Sequence, residues 1–91
     1  MGFTNIGYGN IINDDQIVVI VSPDSAPSKR LIQSARDEGK IVDGTQGRRT
    51  RSVILMQNGV VVLSALQPET IAARIKNHDI SDNAVKGEEN E

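Results

Sequence analysis

The sequence predicts an α+β fold, in which two helices pack on a small, mostly antiparallel sheet. Two observations predict this class. The chain of 91 residues contains 11 Ile and 9 Val against 4 Leu, and β-branched side chains favour strands. Residues 31–35 and 71–75 instead place apolar side chains at helical spacing. Because a chain this short closes one core, we expect a single domain over residues 1–78.

The first strands lie near the N-terminus. Residues 3–6 predict a short strand, Gly7-Tyr8-Gly9 predicts a turn, and residues 11–12 predict a second piece of strand. Residues 17–21 form a run of five β-branched side chains without polar alternation. Such runs are typical of strands covered on both faces, so we expect this segment at the centre of the sheet.

A helix follows this strand. Asp24 or Ser25 can cap it, Pro27 suits its first turn, and Gly39 is placed to stop it just after Glu38. Its predicted buried side consists of Leu31, Ile32 and Ala35.

The second half of the chain predicts a hairpin and a second helix. Residues 41–42 favour a short strand, and Asn58-Gly59 predicts a type I′ turn between strands at 52–56 and 60–63. A helix is predicted from Gln67 to near Asn77, with an apolar stripe of Ile71, Ala72 and Ile75. Residues 79–91 are polar and acidic, and we expect a disordered tail.

Composition excludes several classes of function. Cysteine is absent, which excludes disulfides and thiolate metal ligands. No segment resembles a secretory leader or the roughly 20 apolar residues of a membrane span, so we expect a cytoplasmic protein that does not bind membranes. His78 has no catalytic partner at a useful spacing, and the paired glycines complete no nucleotide-binding motif. We therefore expect a protein that is not an enzyme and that holds no cofactor or metal.

The net charge of −2 conceals two unlike regions. Residues 1–78 contain nine basic and seven acidic side chains, which gives +2, whereas residues 79–91 contain one lysine and five acids, which gives −4. Arg48, Arg49 and Arg51 form the densest basic cluster, and guanidinium groups bind phosphate through paired hydrogen bonds. The alternative is that these arginines only solvate the surface or pair with neighbours such as Asp43.

A second candidate anion site lies at the start of the first helix. Free main-chain N–H groups there could act with Ser25, Lys29 and Arg30. Ordinary helix capping is the alternative, because Asp24 can satisfy the same donors and would repel an anion.

Four segments resemble a known family when taken together. They are NIGYGNII (5–12), IVSPDSAPSKRLIQSARDEGKIVDGT (20–45), GRRTRSVILM (47–56) and LSALQPETIAARI (63–75). In order and spacing they are similar to the RemA-like family of bacterial extracellular matrix regulators. The resemblance implies a DNA-binding regulator of matrix or biofilm genes, with a fold likened to the LytTR domain, that assembles into a ring-shaped homo-oligomer.

The same resemblance implies which residues contact DNA. The arginine pair of the GRRTR motif falls on Arg48 and Arg49, with Arg51 adjacent. Many members also place an arginine shortly before the central strand, where this chain reads Asn13-Asp14-Asp15-Gln16. That loop is acidic here and departs from the family.

Three hypotheses follow from the sequence. The first is an oligomeric ring that binds double-stranded DNA through Arg48 and Arg49. The second is a structural or protein-interaction ring, in which the arginines form salt bridges between subunits. The third is a sensor of small anions that uses Ser25, Lys29 and Arg30. A short domain with few large apolar side chains favours assembly in each case.

Overall fold

A computed structural model of the chain describes residues 2–77. The fold is α+β, as predicted, with two helices. Within residues 2–77, the elements in chain order are β1 (Phe3–Asn5), β2 (Ile11–Asn13), β3 (Ile17–Val21), α1 (Ala26–Asp37), β4 (Ile41–Asp43), β5 (Ser52–Met56), β6 (Val61–Ser64) and α2 (Pro68–Asn77), with a 3-10 turn at Asp14–Gln16 before β3.

The strands form two separate sheets. β1 and β2 make an antiparallel hairpin, and the other four strands form a sheet in the order β3-β5-β6-β4. β5 pairs antiparallel with both β3 and β6, whereas β4 runs parallel to β6. The expectation of a mostly antiparallel sheet is therefore confirmed, with one parallel pair.

The prediction that residues 17–21 form the central strand is wrong. Within residues 2–77, β3 pairs only with β5 and occupies an edge of the sheet. Its register shifts between Ile17 and Val19, and the side chains of Val18 and Val19 are 54% and 40% exposed. The strands that are covered on both faces are β5 and β6. Burial explains only part of the apolar run of β3, because Ile17, Ile20 and Val21 pack against the core whereas Val18 and Val19 are exposed.

Two apolar clusters lie on opposite faces of the four-stranded sheet. Successive residues of β5 and β6 alternate between them, as a pleated strand requires. One cluster packs under α2 and the β1–β2 hairpin and contains Ile6, Ile54, Val62, Leu66 and Ile71. The other packs under α1 and contains Ala35, Val53, Val61 and Leu63.

The first helix is capped as its sequence predicts. Ser25 has an extended backbone, and its hydroxyl accepts a 3.2 Å hydrogen bond from the main-chain N–H of Ser28. The helix ends before Gly39, whose φ of +69° lies in the left-handed region that glycine adopts without steric cost. Leu31 and Ile32 are half-buried beside the buried Ala35, which confirms the predicted buried side of α1.

The β5–β6 hairpin is confirmed, but its turn type differs from the prediction. A type I′ turn needs positive φ at both central residues, and only Gly59 has it, at +86°. The main-chain N–H of Met56 instead donates to the carbonyl of Val60, which closes a loop over residues 57–59. Three-residue loops with a left-handed glycine are the next most common hairpin connection.

One face of α2 also differs from the prediction. Ile71 is fully buried and Ile75 is packed against the same cluster, but Ala72 is exposed. The buried face of α2 contains Arg74 instead of Ala72, and Arg74 is only 4% exposed. Residues 71, 74 and 75 share one helical face, whereas residue 72 points away from it.

The predicted acidic tail at 79–91 and His78 lie outside the described residues. Within residues 2–77, α1 and α2 are both too short and too polar to cross a membrane.

Candidate functional site

The basic cluster lies on the loop that joins β4 to β5, and both ends of this loop are hydrogen-bonded to β6. At the start of the loop, the main-chain N–H of Gly44 donates to the carbonyl of Leu63 at 2.9 Å. At its end, the N–H of Arg51 donates to the carbonyl of Ser64 at 2.8 Å. Two consecutive carbonyls of a buried strand therefore fix the arginine loop, which we define as residues 44–51.

Asp43 and Thr45 stabilise the start of the arginine loop. One carboxylate oxygen of Asp43 accepts a 2.6 Å hydrogen bond from the Thr45 hydroxyl and a 2.9 Å bond from the Thr45 N–H. These two bonds, in that order, hold the pKa of Asp43 below its usual value of 3.8. Thr45 in turn accepts a main-chain hydrogen bond from Arg48 at 2.9 Å. The Asp43 carboxylate thus stabilises the turn that presents the arginines.

Arg49 and Arg51 line one cleft. This open polar depression has a volume of about 110 Å³. Thr50 of the same loop also lines it, and the remaining lining residues come from the turn before α1 and from the position just before α2: Ser22, Pro23, Asp24 and Gln67. If residues 49–55 were all extended, the Thr50 side chain would point away from those of Arg49 and Arg51. Because β5 begins only at Ser52, this alternation does not apply, and Thr50 lines the same cleft as the two arginines.

Arg48 takes a different direction. Its guanidinium carbon lies 5.3 Å from the centroid of the Tyr8 ring, within the distance of a cation–π contact. Tyr8 belongs to the turn between β1 and β2, so this contact joins the arginine loop to the small hairpin.

The guanidinium groups of the cluster are free to bind an anion. Arg48, Arg49 and Arg51 are all exposed. Among residues 2–77, no carboxylate lies within ion-pair distance of these three guanidinium groups. Asp43 forms no ion pair with these arginines, and one of its carboxylate oxygens accepts both hydrogen bonds from Thr45.

At the second predicted anion site, the serine hydroxyls are already engaged in hydrogen bonds within the protein. The hydroxyls of Ser25 and Ser28 bond to each other at 2.9 Å, and that of Ser28 donates to the carbonyl of Ser22. Capping therefore occupies the hydroxyl group of this site. Lys29 and Arg30 are exposed on α1, and neither they nor Ser25 line the cleft of Arg49 and Arg51 within the described chain.

The described residues contain no group of three or more His, Asp or Glu side chains placed to hold a metal ion. Sequence reasoning singled out the arginines but missed the residues that hold them, namely Tyr8, Asn10 and Thr45. One signal was available for Thr45, because an Asp followed two residues later by a hydrogen-bond donor is typical of an Asx turn. Nothing local in the sequence links Tyr8 to Arg48, 40 positions later.

Comparison with known proteins places these features in a family. Residues 3–75 match the model of the RemA-like family, described as extracellular matrix regulatory protein A-like. A relative named "Putative regulatory protein" in Geobacillus kaustophilus is 58% identical over 79 residues, which cover 87% of this chain and 91% of the relative. A protein of the same name in Bacillus cytotoxicus is 56% identical over 79 residues, with the same coverage.

Proposed function

Because this chain belongs to the RemA-like family of extracellular matrix regulatory proteins, we propose that it regulates transcription of extracellular matrix and biofilm genes by binding double-stranded DNA. It acts as a ring-shaped homo-oligomer, and Arg48, Arg49 and Arg51 of each subunit contact DNA phosphates.

The observation that carries this proposal is the state of the three arginines. They are exposed, they form no ion pair within residues 2–77, and they lie on a loop fixed at both ends. Guanidinium groups bind phosphate oxygens through paired, charge-assisted hydrogen bonds. A cluster of such groups on an anchored loop is better explained by binding of a polyanion than by a role in solvating the protein surface.

Assembly supplies the affinity that one subunit lacks. Even dedicated DNA-binding proteins reach non-specific dissociation constants of only about 10⁻⁴ to 10⁻⁶ M at physiological salt. Repeating the arginine loop around a ring raises the effective concentration of phosphate contacts, so that weak interactions accumulate.

The exposed side chains at the edges of the large sheet support assembly. Val18 and Val19 on β3 are 54% and 40% exposed, and Val42 on β4 is 50% exposed. β3 and β4 are the two edge strands of the four-stranded sheet, and exposed β-branched edges invite contact with another chain. Two different edges that meet head to tail generate a closed ring when the rotation closes.

Specificity would come mainly from DNA shape and deformability. Neither α1 nor α2 carries the arginine cluster, which lies on a loop, so no recognition helix is proposed for the major groove. Phosphate contacts fix the position of a protein on DNA without reading bases, whereas the cost of bending depends on sequence.

The test is a titration of duplex DNA with the full chain at several salt concentrations, together with native mass. Arg49→Ala is expected to weaken binding to all sequences and to reduce the salt slope by about 1 for each phosphate interaction that the substitution removes, while the oligomer persists. Lys29→Ala is the matched control, because it removes one exposed positive charge from α1, outside the cleft of Arg49 and Arg51.

Two other outcomes would contradict the proposal. If Arg48→Ala or Arg49→Ala breaks the oligomer, the arginines form contacts between subunits and the protein is a structural ring. If Lys29→Ala weakens binding as much as Arg49→Ala, the anion site lies at the start of α1.

A further inference from the structure

Tyr8 occupies an unusual backbone conformation. Its φ is +54°, and its neighbours Gly7 and Gly9 have φ of +103° and +81°. Glycine adopts this region at no steric cost, but a side chain as large as tyrosine rarely does. Tyr8 is also 40% exposed. Because Tyr8 is exposed, burial of its side chain does little to offset the cost of this backbone conformation. Residues with such strain are concentrated at functional sites.

Hydrogen bonds hold this turn in place. The main-chain N–H of Gly7 donates to the side-chain oxygen of Asn5 at 2.7 Å, and the side-chain amide of Asn10 donates to the Gly7 carbonyl at 2.9 Å. Gly7 is buried against Leu66, and a Cβ on Gly7 would lie 3.2 Å from Cγ of that leucine. The turn therefore has one conformation fixed against the core.

Asn10 connects this turn to the arginine loop. The same side-chain amide donates a second 2.9 Å hydrogen bond to the carbonyl of Gly44. At Gly44, a Cβ would lie 3.0 Å from the carbonyl oxygen of Leu63 and 3.1 Å from the Asn10 amide nitrogen. The turn and the loop thus meet too closely for a side chain between them, and Tyr8 is held at a fixed place beside Arg48.

Within residues 2–77, the Arg48 guanidinium makes no hydrogen bond, so its N–H donors remain available beside the Tyr8 ring. A cation over an aromatic ring is attracted by the charge distribution of the ring, whereas a guanidinium group binds phosphate through its N–H donors. Contact with Tyr8 therefore limits the conformations of the Arg48 side chain without using its hydrogen bonds. Side chains ordered before binding lose less entropy when they bind.

We propose that Tyr8 is a positioning residue of the DNA site, which holds the Arg48 guanidinium in a conformation ready to bind phosphate. This inference rests on the proposed function, and it adds a residue from the β1–β2 turn to the basic loop.

The test is a double-mutant cycle between Tyr8 and Arg48, read as the dissociation constant for one DNA duplex. Tyr8→Leu removes the ring and is expected to weaken binding about two- to fivefold per site, the range that a cation–π contact at an exposed position supports. Tyr8→Phe keeps the ring and should bind within about twofold of the wild-type protein. In the Arg48→Ala background, Tyr8→Leu should have no further effect.

The coupling between the Tyr8 and Arg48 substitutions distinguishes a positioning role of Tyr8 from a direct contact with DNA or a role in the fold. If Tyr8→Leu weakens binding equally with and without Arg48, Tyr8 acts on the DNA or on the fold, and the inference is wrong. It is also wrong if Tyr8→Leu binds as the wild-type protein does. A second measurement needs no variant, because the Arg48 side-chain N–H resonance of the free protein should be shifted upfield by the ring relative to those of Arg49 and Arg51. An unshifted Arg48 resonance overturns the inference.

Arg49→Ala separates this failure from failure of the proposed function. If Arg49→Ala loses DNA binding while Tyr8→Leu does not, only the role of Tyr8 is refuted. If neither the wild-type protein nor any variant binds duplex DNA, the proposed function fails and the role of Tyr8 fails with it.

Discussion

The guanidinium group of Arg74 donates a 3.0 Å hydrogen bond to the main-chain carbonyl of Asn5, 69 positions earlier in the chain. Both residues are buried. This bond joins α2 to β1, and so it holds the small hairpin that carries the Tyr8 turn onto the body of the domain. A buried charge needs such partners, because its transfer from water is costly without them.

Arg74→Met should destabilise the fold. The substitution keeps an unbranched side chain but leaves the Asn5 carbonyl without this donor, and we expect a loss of about 2 kcal/mol in the free energy of unfolding. Chemical denaturation followed by circular dichroism measures it. Lys76→Met, at an exposed position of the same helix, is the control. Equal stabilities of the two variants would contradict a structural role for the Arg74 bond.

The Asp43–Thr45 contact predicts a dependence on pH. The pKa of Asp43 in the folded state lies below its usual 3.8, so ionised Asp43 favours folding above that pH. This contribution is lost as the pH falls through the folded-state pKa. An NMR titration of the Asp43 carboxyl should give a midpoint below 3.8. The midpoint should rise toward that value in Thr45→Val, but not in Thr45→Ser, which keeps the hydroxyl donor. Equal midpoints in all three proteins would refute this account.

Asp24 should oppose binding of phosphate in the cleft. Its residue lines the same depression as Arg49 and Arg51, and a carboxylate there lowers the local positive potential. Asp24→Asn is expected to tighten binding to duplex DNA at low salt by about threefold, with a smaller gain as salt screens the charge. Asp37→Asn, at the far end of α1, removes an equal charge away from the cleft. If both variants gain equally, only net charge matters.

The exposed edge of β3 should contribute to assembly. Val18→Lys places a charge at a position that is 54% exposed in one subunit. If that position is covered in the oligomer, the dissociation constant of the assembly should rise at least about tenfold. Native mass spectrometry over a dilution series reads the change, and Ser34→Lys on the exposed side of α1 is the control. If Val18→Lys has the same oligomer mass as the wild-type protein at every dilution, the outer edge of β3 is not part of the interface.

The elements that the sequence predicts well are those with local signals. Ser25, Pro27 and Gly39 mark the ends of α1, and Pro68 marks the start of α2. Each acts on its own few main-chain groups, so no knowledge of tertiary structure is needed.

Strand order is different, because burial of a strand depends on partners far along the chain. The apolar run of β3 and those of β5 and β6 have the same character, yet only β5 and β6 are covered on both faces. Arg74 illustrates the same limit. Its helical position is readable, but its burial depends on the carbonyl of Asn5, which no local pattern identifies.

At the site, the arginines could be found from charge density alone, whereas their geometry could not. That Arg49 and Arg51 share a cleft while Arg48 contacts Tyr8 follows from how two loops meet. Asn10 and Gly44 bring them together across 34 positions. Contacts of this kind arise only from the completed fold.

The attachment of the arginine loop to β6 affects the hydrogen exchange and the thermal melting of this loop. The amide hydrogens of Gly44 and Arg51 are bonded to carbonyls of a strand inside the sheet, so their exchange with solvent requires the sheet itself to open. Although these two residues lie outside any strand, they should exchange as slowly as the strand they are tied to. On heating, the cationic surface should therefore persist until the domain melts, and capacity to hold a polyanion should vanish in the same transition as the fold.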